Sequence, residues 1–114
     1  MITVLKSKIH MATVTDSSVK CSGSIGIDEK LLKAAGISEY EKVLVANASN
    51  GERFETYAVK AGKEEIRVMG AAAKLAGNGD KVIIMSFELL EKGKKIKPRV
   101  IYVDGKNKLR KGSQ

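Results

Sequence analysis

The sequence predicts a mainly β, single-domain protein whose strands close, or nearly close, into a small barrel with only small helices. Three observations carry this reading. Short runs rich in Val, Ile and Thr recur along the chain, tight-turn residues such as Asn50-Gly51 and Gly77-Asn78-Gly79 separate them, and the helical stretches between them are brief. No internal repeat, low-complexity tract or linker marks a second domain within the 114 residues. With 43% hydrophobic but only 4% aromatic residues, the core has to be built from Val, Ile, Leu and Ala.

Ile2 to Thr15 reads as the first strand, and its period of two places Lys8 and His10 on one face. Ser22-Gly23-Ser24 is a small, flexible break before a second strand, Ile25 to Ile27. Asp28 suits a helix N-cap, Leu31, Leu32 and Ala35 form a helical stripe, and Gly36 suits the C-terminal cap. Val43 to Ala48 is again strand-like, and Asn50-Gly51 is a strong hairpin signal because both residues tolerate positive φ. In the returning strand, Glu52 to Lys60, Arg53, Glu55 and Tyr57 share one face, and Phe54, Thr56 and Ala58 the other. Ile66 to Met69 is a short strand, Gly70-Ala71-Ala72-Ala73 begins a helical turn, and Lys81 to Phe87 and Arg99 to Val103 are the last strands. Pro98 punctuates the loop between those two.

The formal charge of +8 is unevenly placed. Up to Glu91, 12 basic residues balance 12 acidic ones; from Lys92 onward, 9 basic residues face Asp104 alone. Such a run reads as a solvated loop and a basic C-terminal tail, about residues 105–114, rather than a binding patch, and no RNP-like aromatic motif, zinc-finger spacing or Gly-Arg repeat accompanies it. Specific nucleic-acid binding is not expected. The single Cys21 and single His10 exclude a disulfide framework and a Cys/His metal cluster within one chain. The N-terminal apolar run is broken by Lys6, Lys8 and His10, and no stretch approaches the roughly 20 apolar residues of a membrane span. The protein reads as cytoplasmic. A chain this small encloses a deep site more readily between subunits than inside one, so oligomerisation is expected.

Several chemistries fail on their motifs. Gly23-Ser24-Ile25-Gly26 lacks the glycine that a nucleophile elbow places two positions before its serine, and there is no P-loop, dinucleotide fingerprint or metal-binding cluster. What remains is a set of motifs in order: Lys8-Ile9-His10, Gly23-Ser24-Ile25-Gly26-Ile27-Asp28, Asn50-Gly51-Glu52-Arg53-Phe54-Glu55-Thr56-Tyr57 and Gly70-Ala71-Ala72-Ala73, continuing through Gly79-Asp80 to Ser86-Phe87. From Lys8 to Asp104 this pattern resembles the aspartate 1-decarboxylase family, which makes β-alanine for pantothenate synthesis.

The resemblance implies a double-psi β-barrel and a homotetramer with sites between subunits. It also implies self-cleavage between Gly23 and Ser24, giving a short N-terminal chain and a longer one that begins with a covalent pyruvoyl group, without PLP or metal. The residues themselves allow that chemistry: Ser24 Oγ attacks the Gly23 carbonyl, the peptide becomes an ester, β-elimination leaves dehydroalanine, and hydrolysis yields the ketone and ammonia. A substrate amine would form a Schiff base on that carbonyl, which then draws electrons from the departing carboxylate.

By the same resemblance Tyr57 returns the proton after CO2 leaves, Thr56 polarises the Gly23 carbonyl, Arg53 clamps the substrate carboxylate with help from Lys8, and His10 lies near the cleavage turn. Backbone groups of Gly70, Ala71 and Ala72 form the substrate-binding loop. Thr56 and Tyr57 face opposite ways in a regular strand, so either the strand is bulged there or the two serve different subunits' sites. Two positions depart from the family pattern: Cys21 stands where an aromatic residue is common, and Met69 where Asn is common. The expected substrate is a small acidic amino acid, aspartate first. The alternatives are the same chemistry on glutamate or another acidic amino acid, or a non-cleaving basic barrel that binds nucleic acid.

Overall fold

A computed structural model describes residues 1–112. β1 (Ile2–Thr13) is the longest strand and pairs on both sides, antiparallel with β7 (Lys81–Leu90) and parallel with β8 (Arg99–Tyr102). Only Val14 and Thr15 separate it from β2 (Asp16–Ser18), which pairs in parallel with β6 (Ile66–Met69). The other strands are β3 (Ser24–Asp28), β4 (Lys42–Asn47) and β5 (Arg53–Ala61). Among the described residues they form one eight-stranded sheet in the order β2-β6-β3-β5-β4-β7-β1-β8. Because β1 lies near one end of that order and β2 at the other, the chain itself bridges the two ends. At the bridge the Val14 N–H donates to Asp80 and the Thr15 N–H to Ile66. The result is the small, mainly β barrel that the strand pattern predicts.

Its interior is aliphatic, as the composition requires. Ile9, Ile25, Ile27, Ile66, Val68, Val45 and Ile84 are wholly buried, and Phe54 is the aromatic residue among them. Each such side chain contributes about 1.5–3 kcal/mol. One helix, α1 (Glu29–Ala35), lies on the barrel with Leu31, Leu32 and Ala35 inward. Both of its ends match the sequence reading. Asp28 accepts from the Lys30 N–H at 2.9 Å, and Gly36 terminates the helix at φ 71° while the Ile37 N–H donates to Leu32.

The β4–β5 hairpin forms, but its loop is longer than a two-residue turn. The strands end at Asn47 and resume at Arg53, and only Gly51 of the Asn50-Gly51 pair takes a positive φ. Asn47 explains why: it is buried and accepts at its carbonyl from Gly51, while its side-chain oxygen accepts from the Ser49 N–H.

The basic segment after Asp104 keeps its charges in solvent, yet it is tied to the barrel. Val103 bridges to Leu109, and Asn107 is 1% exposed. The Asn107 amide oxygen accepts from the Thr13 N–H at 2.7 Å, and its nitrogen donates to the carbonyls of Thr13 and Glu64 at 2.8 and 3.0 Å. Thr13 needs these partners because the pairing of β1 with β8 ends at His10, which leaves the Thr13 backbone groups on that edge without a strand; between Ile9 and Ala12 β1 also carries a bulge, with Met11 at φ 61°. Residues 113 and 114 lie outside the described part.

Two expectations follow. Asn107→Ala strands one N–H and two carbonyls, and should lower unfolding free energy by about 1–3 kcal/mol in urea titrations; an unchanged midpoint would show the latch to be inert. The second concerns Lys6, whose ammonium contacts both oxygens of Glu41 at 2.8 and 2.7 Å. Burial pushes the Glu41 carboxyl up, but the Lys6 hydrogen bond, the Ser38 N–H and the Lys6 charge outweigh it and hold the group below its ordinary 4.5. A carboxylate depressed in the folded state stabilises above its unfolded pKa and loses that contribution as pH falls through the folded one. Urea midpoints should therefore decline below about pH 4.5, less steeply in Lys6→Gln than in wild type.

Candidate active site

Ser24 opens β3, where the alternation sends Ile25 and Ile27 into the core and Ser24, Gly26 and Asp28 to the outer face. Ser24 is nevertheless only 4% exposed, because neighbouring strands flank it on both sides. On one side β6 runs antiparallel, with Met69 opposite Ser24; on the other β5 runs parallel, with Ala58 opposite Ile25. The preceding residues Cys21, Ser22 and Gly23 are exposed and lie outside any strand. A buried serine thus follows directly on an accessible glycine.

Continuing the β3–β5 register backward aligns Tyr57 with Ser24 and Thr56 with Gly23. The β4–β5 register runs uninterrupted from Lys42↔Tyr57 to Ala46↔Arg53, so no bulge turns Thr56 and Tyr57 to a common face. Tyr57, 40% exposed, shares the outer face with Ser24, while Thr56 points to the side of Phe54 and Ala58. The two therefore stand level with the two residues of one peptide bond, on opposite sides of the strand. The Tyr40 ring lies 6.3 Å from that of Tyr57, a neighbour that no motif announced.

Lys8 and Arg53 come together elsewhere. They line one groove of about 300 Å³ with Ala46, Asn47, Ile83 and Met85, spread over β4 and β7. Arg53 pairs with Ala46, Ala46 with Ile83, and Lys8 with Met85, so the groove crosses the sheet away from β3. Arg53 also precedes Tyr57 by four residues on one strand, about 13 Å at strand rise. His10 meets a different neighbour, the Tyr102 ring, edge-on at 5.6 Å and 69°. The partner its own chain supplies is thus an aromatic ring rather than the cleavage turn.

Gly70 begins a short 3-10 helix, Gly70–Lys74, that includes Ala71 and Ala72. Two anchors fix it. Ser17, on the β2 strand that the hydrophobic pattern did not reveal, donates to the carbonyls of Ala73 and Ala76 at 3.3 and 2.8 Å. Asn47 donates to the Leu75 carbonyl and to Asp80, at 3.0 and 2.8 Å. The Asn47 amide and the Gly77 N–H hold the Asp80 carboxyl below its ordinary range. The Met69 methyl would lie 3.7 Å from a Cβ added at Gly26, on the face that Ser24 shares. Among the described residues no group of three or more His, Cys, Asp or Glu side chains could hold a metal.

The chain belongs to the aspartate decarboxylase family, whose sequence profile matches residues 1–110. It is 55% identical to the aspartate 1-decarboxylase of Caldicellulosiruptor bescii, over 95% of this chain and 88% of that one. It is likewise 55% identical to the aspartate 1-decarboxylase of Campylobacter jejuni, over 93% and 86%, and 49% identical to that of Thermosipho africanus, over 93% and 90%.

Proposed function

We propose that this chain is the precursor of a pyruvoyl-dependent enzyme that converts L-aspartate to β-alanine and CO2 in the cytoplasm, the product serving pantothenate biosynthesis. The observation that carries the reading is the placement of Gly23-Ser24, with Thr56 and Tyr57 level with its two residues, in a family whose relatives are named for this reaction. Among the described residues no helix is long and apolar enough to cross a membrane.

The chain's own groups suit each task. Ser24 Oγ attacks the Gly23 carbonyl, the C–N bond breaks, and the Ser24 amine is freed; Thr56 polarises the carbonyl. Loss of the Ser24 α-proton and the Gly23 carboxylate, then replacement of nitrogen by water, releases ammonia and leaves the pyruvoyl carbonyl. That group supplies the electron sink for decarboxylation. Arg53 offers a planar fork to the side-chain carboxylate, Lys8 adds charge, and the small side chains of Gly70, Ala71 and Ala72 let the substrate approach the backbone. Tyr57, with its phenol on the Ser24 face, returns the proton to carbon.

A site of this kind is incomplete within one chain. Aspartate spans about 5 Å from its amine to its far carboxylate by standard bond lengths, whereas the Lys8–Arg53 groove lies over β4 and β7 and Ser24 beyond β5. The groove of one subunit therefore serves Ser24 of another, and His10 reaches the cleavage turn of a neighbour in the same way. The outer face of β7 supports such an assembly. Ile83, Met85, Phe87 and Leu89 alternate along it, with Phe87 43% and Leu89 58% exposed, while Val82, Ile84 and Ser86 fill the inner face. A strand apolar on both faces is suited to burial on both, here against further copies in a homotetramer.

Intact-mass analysis tests the processing. Wild type should resolve into Met1–Gly23 and a longer chain one ammonia lighter than a serine-terminated product, and Ser24→Ala should stay whole and inactive. Tyr57→Phe should be cleaved yet lose most of its kcat. Aspartate should exceed glutamate at least about tenfold in kcat/KM, since one extra methylene costs about 1–3 kcal/mol in a close-fitting site. An uncut wild-type chain would favour a non-catalytic basic barrel. The shared site has its own test: Arg53→Ala and Ser24→Ala, each inactive, are refolded together. If the two residues come from different subunits, random mixing restores about a quarter of the sites; no recovery would place them in one chain.

A further inference from the structure

We propose that Gly70 is a positioning residue for self-cleavage, acting through the absence of its side chain; this rests on the reading that the Gly23–Ser24 bond is cut. With Met69 opposite Ser24, the next step along the antiparallel pair brings Gly70 opposite Gly23. Gly70 stands at φ +82°, and a Cβ there would lie 2.5 Å from Gly23 Cα, 2.8 Å from Gly23 N and 3.2 Å from the Cys21 carbonyl oxygen. All three are backbone atoms of the cleavage turn, so no flexible side chain can move aside.

The other positive-φ glycines differ. Gly51, Gly79, Gly93 and Gly112 have nothing within 4 Å of such a Cβ, and Gly36 faces the movable guanidinium of Arg99. Gly70 is thus the glycine of this set, among the described residues, that is required by contact with backbone as well as by φ. A Cβ on Gly23 itself would meet only the Met69 carbonyl oxygen, at 4.0 Å, so the crowding at this contact comes from the Gly70 position.

The backbone at Gly70 is therefore a wall on one side of the turn. It sets where the Gly23 peptide plane sits relative to Ser24, whose backbone is in register with Met69 of β6. The step it serves is the acyl shift: Ser24 Oγ bonds to the Gly23 carbonyl carbon, the C–N bond breaks, and the hydroxyl proton ends on the freed amine. A Cβ on Gly70 forces the Gly23 backbone to shift and so turns its carbonyl relative to Ser24 Oγ, and displacement of a reacting atom by about 1 Å costs rate steeply.

The test compares first-order cleavage rates of wild type, Gly70→Ala, Gly70→Asn and Gly79→Ala by intact mass, with circular dichroism and melting temperature measured on each. Gly79 stands at φ +87° with nothing nearby, so Gly79→Ala reports the conformational penalty alone. Gly70→Asn keeps the Cβ but tolerates left-handed backbone, and it carries the comparison if Gly70→Ala does not fold. Both Gly70 variants should cleave at least about tenfold more slowly than wild type, without accumulating hydroxylamine-labile ester, whereas Gly79→Ala should melt lower and cleave near the wild-type rate. Wild-type rates in a folded Gly70 variant, equal slowing in Gly79→Ala, or an accumulated ester would overturn the proposal. An uncut wild type would instead remove the reading on which it rests.

Discussion

Joining the two ends of an eight-stranded sheet falls here to a single run of backbone, Ile2 to Ser18. Its first part pairs with β7 and β8, its last three residues with β6, and Val14 and Thr15 span the gap. The run breaks register with β7 twice, between Leu5 and Ser7 and between Ile9 and Ala12, and at the second break Met11 is left-handed. Beyond His10 the pairing with β8 has ended, and Asn107 meets the backbone groups of Thr13 on that edge. Both halves of the candidate site hang on this run, since Lys8 lies on its first part and Ser17 anchors the Gly70–Lys74 helix from its last.

Strand β5 divides that site. Its inner face fills the barrel through Phe54 and Ala58, and its outer face carries Arg53 into the groove and Tyr57 to the side of Ser24. Fixed separation along a strand keeps these functions apart within a chain and makes association between chains part of the proposed chemistry. The Asn47 hydrogen bonds join the two regions mechanically, because Asn47 lines the groove and also holds Leu75 and Asp80 beyond the 3-10 helix.

Wherever one residue type dictated a backbone state, the sequence was legible. Asp28 and Gly36 bound the helix, β6 spans the four residues its Val and Ile content indicated, and the alternation of β5 set Thr56 against Tyr57. What escaped detection depended on partners distant along the chain. Asp16–Ser18 is three polar residues with no apolar period, and it becomes a strand because β6 offers it hydrogen bonds. Asn107 looked like one more polar residue in a basic segment, and its burial reflects Thr13 and Glu64. Candidate residues for the proposed chemistry could be named from their motifs, but their division across the flanks of β5 required the strand order.

The same latch has a consequence for how the molecule is made. Thr13 and Asn107 are 94 residues apart in sequence, and β1 finds both of its partner strands in the last third of the chain. Such contacts have to wait for loop closure over nearly the full length, and pairings of such long range slow folding. During synthesis the N-terminal strand therefore stays without β7, β8 and the asparagine until the ribosome has delivered almost everything. Once the barrel is sealed, that strand is gripped on both edges.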